Sequence, residues 1–261
     1  RLNAGADGGL STRVSHSFNA PRAPALGYLS FLAAKAFAPR DAAQLVYLRA
    51  SALRHAEGNA EASLRVEKLH SSPLTSSLLA KLSQGGVCRA IFTGVCASEP
   101  QPSTSNHQPS TSHRQPSASQ HELQIFQEGQ VVGEAPKLPS PSTCLSATPC
   151  LRESFGERLW SEVELRVPPQ SEFATYFLEG KASGKPVIEG WLGFAQPFPI
   201  DLHHLTFFGA VCPSPILNSL GSSARTTSLE YSIHLRRAPP INSLRVRGIG
   251  CPSCLLRTRE A

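Results

Sequence analysis

The first apolar block of the chain is hydrophobic nearly all round. Leu26-Gly-Tyr-Leu-Ser-Phe-Leu-Ala-Ala-Lys-Ala-Phe37 is rich in helix formers and has no broad polar face. That pattern predicts a helix buried in a core rather than laid on a surface, with Pro39 stopping it. Residues 44–49, 60–69, 76–82 and 87–94 then read as strands. Along 60–69, Ala62, Leu64, Val66 and Lys68 fall on one face, with Ser63, Arg65 and Glu67 on the other. Ser83-Gln-Gly-Gly86 sits between two apolar runs, a hairpin signal. A buried helix followed by four successive strands predicts an antiparallel sheet wrapped around that helix.

The pattern breaks near Ser98. Gln101-Pro-Ser-Thr-Ser105, Gln108-Pro-Ser-Thr-Ser112 and Gln115-Pro-Ser-Ala-Ser119 are near-copies of one another, with almost no apolar content. Such a segment cannot build a core and predicts a flexible linker, extended through Pro139, Pro141 and Pro149. Apolar periodicity returns at about Arg158. Residues 160–167, 173–178 and 186–195 read as strands, and 201–211 as a helix with Asp201 as its N-cap and Pro213 beyond its end. Two more strands, 228–236 and 243–249, close the pattern. The expected organisation is a flexible tail over 1–22, one domain over 23–98, a linker over 99–156, a second domain over 157–250 and a tail over 251–261.

Composition narrows the function classes. The chain has 261 residues, 40% hydrophobic and 17% charged, enough for two domains with separate cores. A net charge of +6 would suit an anionic partner. The basic residues are scattered, however, apart from Arg236, Arg237, Arg245, Arg247, Arg257 and Arg259. No aromatic-interleaved basic patch points to nucleic acid. Seven irregularly spaced cysteines argue against a secreted disulfide framework and for a reducing compartment. No apolar run reaches the length of a membrane span. The chain lacks methionine and begins at Arg1, which leads to the expectation of a fragment.

Cys251-Pro-Ser-Cys254 and His203-His204 are the metal-like motifs. A zinc site would need a second cysteine or histidine pair of suitable spacing, and a redox pair would precede a helix, so neither metal nor cofactor is expected.

The second half carries a resemblance to a known family. Gly190-Trp-Leu-Gly-Phe-Ala195, the helix with Leu205-Thr-Phe-Phe-Gly-Ala-Val-Cys-Pro213, Ser228-Leu-Glu-Tyr-Ser-Ile-His-Leu-Arg236 and Leu244-Arg-Val-Arg247 occur in that order. They resemble the C-terminal hotdog of the acyl-CoA thioesterase II (TesB-like) superfamily. In the first half Gly27-Tyr-Leu29, Tyr47-Leu-Arg49 and Leu82-Ser-Gln-Gly-Gly86 resemble the partner hotdog. The resemblance covers about residues 20–98 and 157–250. It implies an α+β double hotdog, each of two helices wrapped by an antiparallel sheet, with the last strands of the second sheet missing.

The resemblance also implies an activity, hydrolysis of fatty acyl-CoA to free acid and CoA. That chemistry needs a placed water, a group to take its proton and donors for the oxyanion. Family members use an Asp on the second hotdog helix, a Thr on the next strand and a Gln on a later one. Here Ser228 stands at the Thr position as the catalytic hydroxyl, Ala210 stands at the Asp position, and the Gln strand lies beyond the last residue. Gly27 and Tyr28 stand at substrate-binding positions. The expected enzyme is therefore weak or inactive; the alternatives are a non-catalytic acyl-CoA-binding or scaffold hotdog, or a fragment without stable function. Asp201, His203 and His204 are the candidates to substitute for the missing Asp, but they lie about two turns before Ala210 and would face elsewhere, so capping and surface roles are expected of them. Expected partners are acyl-CoA and further copies of the chain through the sheets. The C-terminus is not a peroxisomal signal, although that compartment suits the family, so a cytoplasmic location is expected.

Overall fold

A computed structural model describes residues 2–4, 9–20, 23–37, 43–98, 138–171, 173–174, 184–215, 218, 230–235 and 243–249. The 12-residue helix α1, Leu26–Phe37, runs under a sheet built from β5 (Ala43–Ala52), β6 (Glu61–Ser71), β7 (Thr75–Gln84) and β8 (Val87–Ser98). Leu29, Leu32, Ala33 and Phe37 of α1 are buried, as are Leu48, Leu64, Leu82 and Phe92 of the sheet. Full burial of side chains of this size stabilises by about 1.5–3 kcal/mol each. The weak polar face of α1 is explained by a second helix on its other side: α4, Leu202–Val211, packs across it.

The alternation of β6 is as expected at its start, where Ala62 and Leu64 are buried and Glu61, Ser63 and Arg65 exposed. β7 and β8 are joined at Gly85 and Gly86, whose φ angles of 55° and 77° are the two left-handed residues that a tight hairpin demands.

The strand order of the large sheet is β1-β2-β6-β7-β8-β5-β12, antiparallel at every pairing, with β1 at Asn3–Ala4, β2 at Leu10–Arg13 and β12 at Glu230–His234, while β3 (Asn19–Ala20) and β4 (Ala23–Pro24) pair only with each other. Its two outer members were not expected there. Part of the tail expected over 1–22 is structured, because Leu10–Arg13 pairs with β6 and buries Thr12 and Val14. β12 was read with the second domain, yet it pairs with β5 of the first, Ile233 opposite Leu48 and Ser232 opposite Arg49. Arg49 donates to both carboxylate oxygens of Glu230 across this joint, at 3.0 and 2.9 Å.

The second sheet has the order β13-β11-β10-β9, with β9 at Leu145–Ser146, β10 at Val163–Val167, β11 at Val187–Phe194 and β13 at Ser243–Ile249. Part of the segment expected as linker is ordered here too. Residues 148–155 form helix α2, Thr148–Phe155, with Pro149 in its first turn, where a missing N–H costs nothing. Leu151 of α2 is fully buried. The strand expected over 160–167 divides into helix α3, Glu157–Glu162, and β10. Leu159 and Trp160 pack inward from α3, whereas the period of two starts only at Val163, where Val163, Leu165 and Val167 are buried. The strand expected over 173–178 lies mostly outside the described residues, as do the repeats at 101–119 and Cys251 and Cys254. Among the described residues the free cysteines are Cys88, Cys96, Cys144, Cys150 and Cys212. No described helix is long and apolar enough to cross a membrane.

Candidate functional site

A cavity of about 270 Å³ opens where the two halves meet. α1 supplies Tyr28 and Phe31, α4 supplies His204 and Phe207, and the end of β11 supplies Phe194. Phe18, from the short 3-10 turn His16–Phe18, and Phe198, from the loop after β11, complete the aromatic wall. Glu162, at the end of α3, and Gln196 add polar groups to the lining. The size is near the lower end for ligand sites.

The rings hold each other in place. Phe18 stacks on Tyr28 with centroids 4.6 Å apart, and Phe31 stacks on His204 at 5.0 Å. Phe194 is the hub, stacked on Phe207 at 5.8 Å and tilted against Phe208 at 4.9 Å. Such contacts add about 0.5–1.5 kcal/mol each beyond area burial, so the wall is preorganised. The Tyr28 hydroxyl accepts a hydrogen bond from the backbone N–H of Ser15.

His204 brings the first turn of α4 to the cavity. Asp201 caps that turn, its Oδ1 accepting from the His204 backbone N–H at 3.0 Å. His204 Nδ1 lies 2.7 Å from the same Oδ1. Lys35 of α1 reaches Asp201 Oδ2 at 3.0 Å. Burial alone would raise the Asp201 pKa, but the Lys35 hydrogen bond, the His204 amide and the nearby positive charge outweigh it and hold the carboxyl at about 2. Burial lowers the pKa of both His203 and His204, and Lys35 adds to this, against the pull of Asp201. Both imidazoles are therefore neutral near pH 7. The surface role expected for these histidines is corrected: α1 covers the turn, leaving the two side chains 23% and 11% exposed.

Of the residues the sequence singled out, Tyr28 lines the cavity and Gly27 lies beside it in the contact between α1 and α4. A Cβ on Gly27 would come within 2.4 Å of the Phe207 carbonyl oxygen and 3.3 Å of the Ala210 Cβ. Ala210 thus occupies the helix crossing rather than the cavity lining. Ser228 lies outside the described residues. Two groups deeper in the fold are unsuited to acid–base work: burial pushes the Cys212 thiol up to about 12 and raises the Tyr231 hydroxyl, which donates to the Thr206 carbonyl. Among the described residues no cluster of His, Cys, Asp and Glu could hold a metal ion.

The aromatic wall escaped sequence reasoning because its members are ordinary core residues one at a time. Only Phe194-Ala-Gln-Pro-Phe198 followed by Asp201-Leu-His-His204 concentrates rings and titratable groups locally.

The architecture is shared with solved proteins. The chain is similar to a candidate thioesterase II from Thermobifida fusca YX at 16% identity and a TM-score of 0.70, covering 95% of this chain and 82% of that one. It is similar to a hot dog fold protein of unknown function from Alicyclobacillus acidocaldarius at 13% identity and a TM-score of 0.66, covering 95% and 82%. The fold is a double hotdog. An acyl-CoA thioesterase II from Mycobacterium marinum shares it at 16% identity and a TM-score of 0.55, over 91% of this chain and 79% of that one. At these identities the likeness carries the double hotdog and not its chemistry. No protein-family model and no curated protein matches the chain. In the double hotdog of this chain, the two central helices are α1 and α4, and the cavity lies against both.

Proposed function

We propose that this double hotdog binds fatty acyl thioesters of CoA, with the acyl group in the aromatic cavity, and has a thioesterase-type activity. The observation that carries the reading is the cavity itself: seven aromatic or imidazole rings, from both halves, converge on it. An apolar slot with a few polar groups in its lining suits an acyl chain whose thioester must face water-handling groups. Tyr28 would contact the acyl group, Gly27 would hold α1 close enough to α4 to form the wall, and Ser228 would polarise the water or the thioester. Ala210 has no proton-transfer capacity, so hydrolysis through the positions of the family pattern is expected to be weak. That same residue favours the second reading, an acyl-CoA-binding protein without turnover. Association of copies through their sheets belongs to the proposal as well.

The test is release of free thiol from a panel of short- to long-chain acyl-CoAs, with the Ser228→Ala variant alongside. Binding of S-alkyl-CoA thioethers, which cannot be hydrolysed, is measured in parallel by calorimetry. Turnover that falls in the variant supports the enzyme; thioether binding without turnover supports the binder. Absence of both from folded protein sinks the proposal.

A further inference from the structure

We propose that the acyl group this cavity selects carries an aromatic ring, so that arylalkanoyl thioesters are preferred over straight-chain ones of the same carbon count. The inference rests on the acyl-thioester reading and names the substrate class of that same cavity. The lining decides it. Phe18, Tyr28, Phe31, Phe194, Phe198 and Phe207 make up its apolar part, and the other three residues, Glu162, Gln196 and His204, are polar. Among the described residues no aliphatic side chain belongs to the lining. The core of the same chain is different, built mainly of aliphatic residues such as Leu29, Leu48, Leu64 and Leu82. Aromatic residues are 7% of the sequence, so composition alone does not gather six of them at one cavity.

The rings do more than fill a core. Phe18, Phe31 and Phe194 are half-buried and Phe198 is 50% exposed, so four of the six keep open surface. Their orientations suit a flat guest. Phe194 and Phe207 lie nearly parallel, 12° apart, while Phe18 stands at 80° to Phe207 and Phe198 at 81° to Phe194. A guest ring set parallel to the first pair is therefore perpendicular to the other two. Stacked and edge-to-face contacts are the arrangements that ring quadrupoles favour, and a saturated chain makes neither.

Size and stiffness point the same way. A cavity of about 150 Å³ is enough to hold benzene, so one of about 270 Å³ takes a ring with space for a short tether to the thioester. A tethered ring has few torsions to freeze on binding, whereas an n-alkyl chain of equal carbon count has several, each with an entropic cost. Bulk hydrophobicity acts in the opposite direction, because the n-alkyl chain carries more apolar surface. A preference for the aryl group thus reports ring contact rather than general apolar burial.

The experiment measures, by titration calorimetry, the binding of three CoA thioethers of equal carbon count that cannot be hydrolysed: phenethyl, cyclohexylethyl and n-octyl. Wild type is compared with Phe31→Leu and Phe198→Leu, each checked first by its thermal melt. Both variants replace a ring by an aliphatic side chain, and Phe198 is exposed enough that the fold should not depend on it. The expected result is phenethyl binding to wild type roughly tenfold more tightly than either saturated analogue, with that ratio falling towards one in the variants. Cyclohexylethyl binding equal to phenethyl would mean that shape alone selects, and overturns the inference. An n-octyl affinity equal to or above that of phenethyl overturns it too, and both outcomes leave the acyl-thioester reading intact. An aryl preference undiminished in both variants overturns the placement of the guest ring against this wall. Failure of all three thioethers to bind folded wild type overturns the reading beneath it.

Discussion

Gly27 of α1 faces the backbone carbonyl of Phe207 on α4 so closely that a Cβ there would stand 2.4 Å from that oxygen. The two helices meet because one residue in the contact has no side chain, and the cavity lies beside this crossing. Gly27→Ala should push α4 away or strain it. The expected cost is about 1–3 kcal/mol, read as a melting temperature several degrees lower. The same melt performed on Gly85→Asn, in a turn where an added Cβ would meet nothing within 4 Å, should show little change. An unaltered melt for Gly27→Ala would contradict the close crossing.

Phe194 touches Phe198, His204, Phe207 and Phe208, so its truncation should loosen the whole wall. Phe194→Ala is expected to weaken S-alkyl-CoA binding by roughly tenfold, about 1.4 kcal/mol. Titration calorimetry of the variant decides this, and undiminished affinity would place the acyl group elsewhere.

Stability should fall on acidification in two stages. The folded-state pKa values of His203 and His204 are depressed, so below the ordinary imidazole value the unfolded chain takes up protons first and folding weakens. The Asp201 carboxyl is held at about 2 against a usual 3.8, so its contribution is present above about pH 4 and is lost toward pH 2. Asp201 is 45% exposed, and screening makes the second stage the smaller per group. Melting temperature against pH should show both, with the upper stage reduced in His204→Gln; a temperature that rises on acidification would reverse the sign argued here.

The joint between β5 and β12 should depend on packing far more than on its ion pair. Arg49 and Glu230 are about half exposed, so Glu230→Gln should shift the melt slightly and only at low salt. Leu48, directly opposite Ile233 and fully buried, is the test of the core beneath: Leu48→Ala should cost about 2–5 kcal/mol. Similar melts for the two variants would mean that the charges, not the apolar contact, hold the joint.

The sequence by itself determined what local chemistry encodes. Residues 26–37 had to be a buried helix because they offer almost no polar face, Gly85 and Gly86 had to turn, and Asp201 before an apolar run had to cap. Tertiary structure decided the rest, since period and caps say nothing about distant partners. β12 could be read as a strand, but its partner β5 lies 181 residues away at the Arg49–Glu230 pair, and many registers share the same alternation. Leu10–Arg13 became a strand only because the free edge of β6 accepted it. Pro149 reads as a breaker in a proline-rich stretch, yet begins a helix where Leu151 finds a core to fill. The cavity is the furthest from the sequence: its rings come from α1, α4, β11, a loop and a 3-10 turn, and only the close crossing that Gly27 permits brings His204 and Tyr28 to one wall.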